Sequence, residues 1–228
     1  LHPTNRRQRQ MCIRDRNLIK ETMDEFFESI TKEYKHAVNA VSSPSEVPVE
    51  KVLKLRERAQ RQAEALSQEL LLVLTLNQPL LQDLRVIAAY LRGVDVIERL
   101  ARHARDVSLC MVEWSELETP GQDDILRKGL GELGQNVSVL VETMRTCLIE
   151  QIEIDSDEIT SLWATIQSQH QECIQEILQA EKDVTGGRNG RMLLSKVSTR
   201  FERSGYNLVR LAGLWHYALE NEWVHYEH

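Results

Sequence analysis

Two stretches of the chain repeat each other. Asp95-Val-Ile-Glu98-Arg99-Leu-Ala-Arg102-His103-Ala104 and Thr199-Arg-Phe-Glu202-Arg203-Ser-Gly-Tyr206-Asn207-Leu208 align on their Glu-Arg pairs, which lie 104 residues apart in a chain of 228. A period close to half the length means a duplicated module. Whatever one half folds into, the other half is expected to fold into as well.

The apolar pattern says what that module is. With five Pro, ten Gly and 5% aromatic residues in a chain rich in Leu, Glu, Gln, Arg and Ala, the usage is that of long helices, and no sheet is expected. A hydrophobic content of 42% is ample for a core. From about residue 17 the sequence resolves into six amphipathic segments with apolar residues at helical spacing. The first, near 17–42, carries Ile19, Met23, Phe26, Ile30, Ala37 and Val41 and stops at Ser42-Ser43-Pro44. The second, about 49–76, carries Val52, Ala59, Ala63, Leu66, Leu70 and Val73. Asn77-Gln78-Pro79 then breaks it, and Pro79, tolerated in a first turn, opens the third. That third stripe is Leu84, Ile87, Leu91, Val94 and Glu98, ending near Thr119-Pro120-Gly121. The fourth alternates Leu126, Leu130, Leu133, Val137, Leu140, Met144 and Cys147 in the manner of a coiled coil. Asp155 and Glu158 read as a capping box for the fifth, whose seam is Ile159, Trp163, Ile166, His170, Cys173, Ile177 and Ala180. Gly186 to Gly190 turns the chain into the sixth, with Leu194, Val197, Phe201, Leu208, Leu211 and Trp215.

Six helices that repeat after three predict an all-α fold of two tandem three-helix bundles, residues 17–118 and 119–228. Residues 1–16 are arginine-rich and aperiodic and lack an initiator Met, so they read as a sequence artefact or a disordered basic arm.

The context of the first repeat, Asn77-Gln78-Pro79-Leu80-Leu81-Gln82-Asp83-Leu84-Arg85 leading into Glu98-Arg99, resembles the PhoU family of phosphate-signalling proteins. That family is built from two tandem three-helix units, each with a Gln-Pro-x-x-x-Asp-Leu-Arg-like opening and a Leu-Glu-Arg-Ile-Gly-Asp-His-like motif. The first half matches well, whereas the second keeps the Glu-Arg core and the neighbouring Gly205. The resemblance implies a cytoplasmic, non-enzymatic adaptor that represses phosphate-starvation signalling or restrains phosphate uptake. Its implied partners are the ATPase of a phosphate ABC transporter and a membrane sensor histidine kinase, and family members commonly form homodimers.

The resemblance also raises the question of metal. In the family the Glu and the Asp four residues later project from one helix face, oxygen ligands so placed suit hard or borderline ions, and members are associated with iron or zinc clusters there. Here Glu98 and Glu202 are kept, but Arg102 and Tyr206 stand at the Asp positions. A guanidinium roughly 4 to 6 Å from a metal opposes it by about 1 kcal/mol per unit charge in water and about 4 at an effective dielectric of 20, and a dication roughly doubles that. No cofactor is therefore expected, and Glu98 and Glu202 are the residues that would touch a metal if one bound. A salt-bridged face is the competing use. Asp95 with Arg99, Glu98 with Arg102 and Arg102 with Asp106 all stand four apart, each pair contributing a few tenths of a kcal/mol. The partner-facing candidates are Asp83, Arg85, Glu98, Arg99, Glu202 and Arg203. For Asp83, a first-turn position facing the helix dipole is the structural counter-reading.

Other signals are weaker. His170, on an apolar seam, reads as a hydrogen-bonded core residue. Glu222-x-x-His225 has the spacing of di-iron bundles, which need it twice and mid-helix, but here it falls at the C-terminal end. The Gly186–Gly190 run lacks the Gly-Lys-Ser/Thr ending and the preceding strand of a phosphate loop. No Ser/His/Asp, Cys/His or paired-carboxylate constellation can be assembled, which points away from an enzyme. A net charge of −7 with interspersed signs argues against a general nucleic-acid binder. Cys12, Cys110, Cys147 and Cys173 are far apart and read as reduced thiols. No apolar run approaches the roughly 20 residues that span a bilayer. Two further readings stand beside the adaptor: a metal-binding carboxylate bundle, and a diverged helical scaffold whose partner lies outside the phosphate system.

Overall fold

Each apolar stripe becomes one face of a helix. The computed structural model describes residues 3–77, 79, 81–117 and 124–226, with side chains from residue 17 onward save those of Asn77 and Asp124. In it α1 spans Pro3–Ser42, α2 Val49–Asn77, α3 Gln82–Ser115, α4 Asp124–Glu150, α5 Ser156–Gln179, α6 Lys182–Thr185 and α7 Gly187–Glu220. Among the described residues there is no strand. The fold is all-α. Every seam residue named for the fourth and sixth segments is buried, as is every one named for the first. Asp155 caps α5, accepting from the Asp157 and Glu158 amides at 3.1 and 3.0 Å, which satisfies two orphan donors of the first turn.

Packing follows the duplication. α1, α2 and α3 pack on one another, as do α4, α5 and α7, and the two trios meet along two seams, α1 on α4 and α3 on α7. Each seam therefore pairs a helix with its own duplicate. Both pairs run antiparallel. On one, Arg145 of α4 meets Asp24 (2.6 Å) and Arg127 donates to the Ser42 carbonyl (3.0 Å) at opposite ends of the same stretch of α1. On the other, Gln82 donates to the Leu219 carbonyl (3.3 Å) at one end, and the Trp114 indole N–H to the Thr185 carbonyl (2.9 Å) at the other. Duplicates packed antiparallel are related by a pseudo-two-fold axis. It crosses α3 and α7 near Leu100 and Ser204, where the two Glu-Arg motifs lie.

Four large aromatic side chains of α3 and α7 are built into the core on either side of this axis. Trp114, Trp215, Tyr90 and Phe201 are all fully buried, Tyr90 stacks on Trp215 (5.8 Å between centroids), and truncating any one of them costs about 3–5 kcal/mol. Their polar atoms are satisfied: Tyr90 donates to the Leu148 carbonyl and Trp215 to the Ile152 carbonyl, both at 2.9 Å. Cys110, Cys147 and Cys173 are free and buried, and burial pushes the Cys173 thiol up to about 12, a setting for inert thiols.

Three boundaries and the burial of one seam residue differ from expectation. α1 begins at Pro3 and not near residue 17; Arg, Gln and Met extend an existing helix readily. Pro79 precedes α3, which starts only at Gln82. Leu84 belongs to the uncovered first turn of α3 and is exposed, not buried. The expected Gly186–Gly190 loop shrinks, because α6 fills Lys182–Thr185 and α7 starts at Gly187. Gly190 is part of that tightening, since a Cβ there would overlap the Thr185 carbonyl. The stop at Thr119-Pro120-Gly121, the expected boundary at 118/119, and Gln78 and Leu80 of the opening motif lie outside the described residues.

Candidate functional site at the crossing of α3 and α7

The axis brings the two repeated motifs together. Arg99 of α3 donates to Asn207 Oδ1 of α7 at 3.4 Å, and His103 Nδ1 lies 2.9 Å from Ser204 Oγ. Ser204 donates its own proton to the Arg200 carbonyl (2.9 Å), so Nδ1 is the donor to Ser204 and the neutral ring carries its hydrogen there. Burial first, then the Arg200 charge, push the His103 imidazole down to about 4, and the ring is neutral at pH 7. Asp106, one turn further along, is held between Arg105 of its own helix and Arg200 of α7, both at 2.9 Å.

Of the three expected pairs four residues apart, one forms. Glu98 meets Arg102 at 3.1 Å. Asp95 turns instead to Arg92 (3.7 Å), Arg99 reaches Asn207, and Asp106 is taken by Arg200. The reason is tertiary: α7 presents partners across the crossing that displace weak contacts along one helix. In the second motif Arg203 lies 3.5 Å from Glu202, and Tyr206 turns its ring towards Trp163 (6.2 Å). Both retained glutamates thus face a guanidinium. Among the described residues no three His, Cys, Asp or Glu side chains are placed to hold a metal ion. These residues do not fit the carboxylate cluster that the resemblance implies.

Asp83 and Arg85 divide in role. Arg85 Nε–H donates to the Ala218 carbonyl (3.2 Å) at the C-terminal end of α7, and its guanidinium lies 5.9 Å from the Tyr217 ring. It caps orphan carbonyls and ties the two halves together. Asp83 is exposed in the first turn of α3. Exposed leucines stand on both sides of the same turn in sequence: Leu71, Leu72 and Leu76 towards the end of α2, and Leu81 and Leu84 at the start of α3. Leu81 is 80% exposed with φ 53° and ψ −120°, a conformation that costs a leucine about 1–3 kcal/mol.

His170 is half-buried, with Nδ1 2.9 Å from Ser198 Oγ, and burial lowers its pKa against the opposing pull of Glu202. That is the setting of a core histidine. Glu222 and His225 follow the end of α7 and share no helix. Sequence reasoning passed over Arg92, Arg210 and Trp223, which border a cleft beside Arg99. The 104-residue offset, carried past the Glu-Arg pairs, would have flagged Arg210 as the duplicate of Asp106.

Residues 19–111 match the family described as the PhoU domain. Over those residues the sequence is that of a PhoU domain. It covers Asp83, Arg85, Glu98 and Arg99 and bears out the resemblance read from the Asp-Leu-Arg and Glu-Arg motifs. Glu202 and Arg203 lie beyond the matched residues, where the repeat is degenerate. The architecture as a whole is also that of PhoU. The crystal structure of PhoU from Pseudomonas aeruginosa is similar with a TM-score of 0.80 at 16% identity, over 91% of this chain and 98% of that one. The phosphate transport system regulatory protein PhoU from Streptococcus pneumoniae gives 0.79 at 13%, over 91% and 96%. At these identities the likeness is one of fold. No curated protein matches the chain by sequence.

Proposed function

We propose that this chain is a PhoU-like regulator of phosphate homeostasis: a cytoplasmic, non-enzymatic adaptor that negatively regulates phosphate-starvation signalling, phosphate uptake or both. The observation that carries this reading is a PhoU domain over residues 19–111 within a fold that matches PhoU along 91% of the chain. By the family resemblance its partners are the ATPase of a phosphate ABC transporter and a sensor histidine kinase. No helix among the described residues is long and apolar enough to cross a membrane. In this reading, regulation of membrane machinery runs through those partners.

The turn between α2 and α3 supports the contact. Five exposed leucines flank it on α2 and at the start of α3, next in sequence to the charge of Asp83, a mixture of apolar surface and charge of the kind that interfaces bury. Arg85 acts from beneath, holding the turn on α7. The charged residues Glu98, Arg99, Glu202 and Arg203 at the crossing add a steering field, which makes association faster and salt-sensitive. Calorimetric titration of the full chain with the transporter ATPase of the same source, at low and high salt, tests the reading. Micromolar or tighter binding, weakened by salt and at least tenfold by Leu76→Ser with Leu84→Ser, is the expected result. A folded, helical sample that does not bind the ATPase contradicts it.

A further inference from the structure

The offset of 104 residues relates the two sides of the α3/α7 crossing, and they are not alike. On one side Asp106 pairs with Arg200. The equivalent positions on the other side are Arg210 and Val96: the carboxylate has become a guanidinium, and its partner an apolar side chain. Arg210 and Val96 border a cleft of about 370 Å³, together with Arg92, Asp95 and Arg99.

The cleft has a built wall. Beyond α7 the chain folds back across the helix at Gly213, where a Cβ would stand 2.5 Å from the Val224 carbonyl oxygen; only a bare α-carbon admits so close a strand of backbone. Tyr226 anchors the segment, buried and with its hydroxyl 2.8 Å from Ser156 Oγ. Trp223 is thereby set at the cleft, stacked on Tyr217 (4.2 Å, 11°) yet 59% exposed.

Charge in the cleft is unbalanced. Three guanidiniums face one carboxylate, in a chain whose net charge is −7. Arg92 approaches exposed Asp95 only to 3.7 Å. Arg99 bonds the neutral Asn207 amide at 3.4 Å, and Arg210 lies 5.9 Å from the Tyr206 ring. Like charges gathered in this way repel one another, and a multivalent anion removes the repulsion. Arg92 and Arg99 stand two turns apart on α3, about 10 Å at roughly 1.5 Å per residue. A single phosphate satisfies one or two guanidinium forks and is too small to reach all three. A chain of phosphoryl groups spans them.

We infer that this cleft binds an oligophosphate, lying along α3 across Arg92, Arg99 and Arg210. Two sources carry that chemistry: an inorganic phosphate chain, and the triphosphate of a nucleotide whose base would stack at Trp223. The inference goes beyond the adaptor reading and does not rest on it.

Calorimetric titration of the full chain with inorganic tripolyphosphate, and separately with ATP, at low and physiological salt, tests it. At least one ligand binds, salt weakens the binding, and Arg92→Gln with Arg210→Gln weakens it tenfold or more. Arg61→Gln, an exposed change on α2, leaves it within twofold. Tighter binding of ATP that Trp223→Ala reduces identifies the nucleotide as the source; tripolyphosphate binding as well as ATP or better, with no effect of Trp223→Ala, identifies the phosphate chain itself. No binding of either ligand to a folded sample overturns the inference, as does binding that survives the double substitution. It is equally overturned if an acidic peptide binds in the cleft and tripolyphosphate does not.

Discussion

The two sides of the α3/α7 crossing descend from the same repeated element, yet one is closed and the other open. On the closed side His103, Ser204, Asp106, Arg105 and Arg200 satisfy one another between two helices. On the open side the equivalents of Asp106 and Arg200 are Arg210 and Val96, which form no such pair and border a cleft together with Arg92 and Arg99. A duplicated fold needs one well-made seam to hold its halves together. Once the closed side and the aromatic core supply it, the other side is free to change its charge. Divergence between the copies is thus where a new ligand site has room to arise.

The largest expected effect is on the closed side and appears with pH. The unfolded chain protonates His103 as pH falls through about 6.5, whereas the folded chain resists until about 4. Its contribution is therefore intact above pH 6.5, is lost progressively as pH falls, and levels off below about 4, a total of about 3 kcal/mol. His103→Asn installs the residue found at the duplicate position 207 and removes that part of the acid limb, as urea unfolding at pH 7 and pH 4.5 would show for the variant beside the parent. A graft erases the comparison altogether. Val96→Arg with Arg210→Asp copies the Arg200–Asp106 pair onto the open side; because position 210 is exposed, stability rises by no more than about 1 kcal/mol, while the cleft exchanges its excess of two guanidiniums over carboxylates for one and places a carboxylate at 210, so that oligophosphate binding weakens, as titration would record. The smallest effect is expected at Asp95, whose side chain is 57% exposed. Asp95→Asn changes unfolding free energy by less than about 0.5 kcal/mol and, by removing the cleft's carboxylate, tightens tripolyphosphate binding.

Much of the fold was legible in sequence for a physical reason that also explains the misses. Leu126 to Cys147 and Leu194 to Trp215 repeat at heptad-like spacing because each sits in a seam covered along its length, so pattern and burial coincide. Leu84 fails because a stripe says nothing about where its covering partner begins. The pairing of Asp106 was misassigned for a related reason: spacing along one helix counts Arg102 as its neighbour, while Arg200 reaches it only after α3 and α7 have packed. The Glu-Arg motifs showed where the crossing lies. The cleft beside them depends on Gly213 accepting the backbone of Val224, a contact without a periodic signature. What sequence did contain, and motif reading passed over, is the replacement of Asp106 by Arg210 one period later.

Equilibrium urea unfolding of Asp106→Asn and Arg210→Gln, side by side at neutral pH, tests the division of the crossing most directly. Asp106 is 14% exposed between two guanidiniums, and neutralising it leaves them uncompensated, for an expected loss of about 2 kcal/mol after discounting for their partial exposure. Arg210→Gln is expected to stay within about 0.5 kcal/mol of the parent. Equal losses in the two variants, or a greater loss for Arg210→Gln, would contradict a crossing with one side for stability and one side for a ligand.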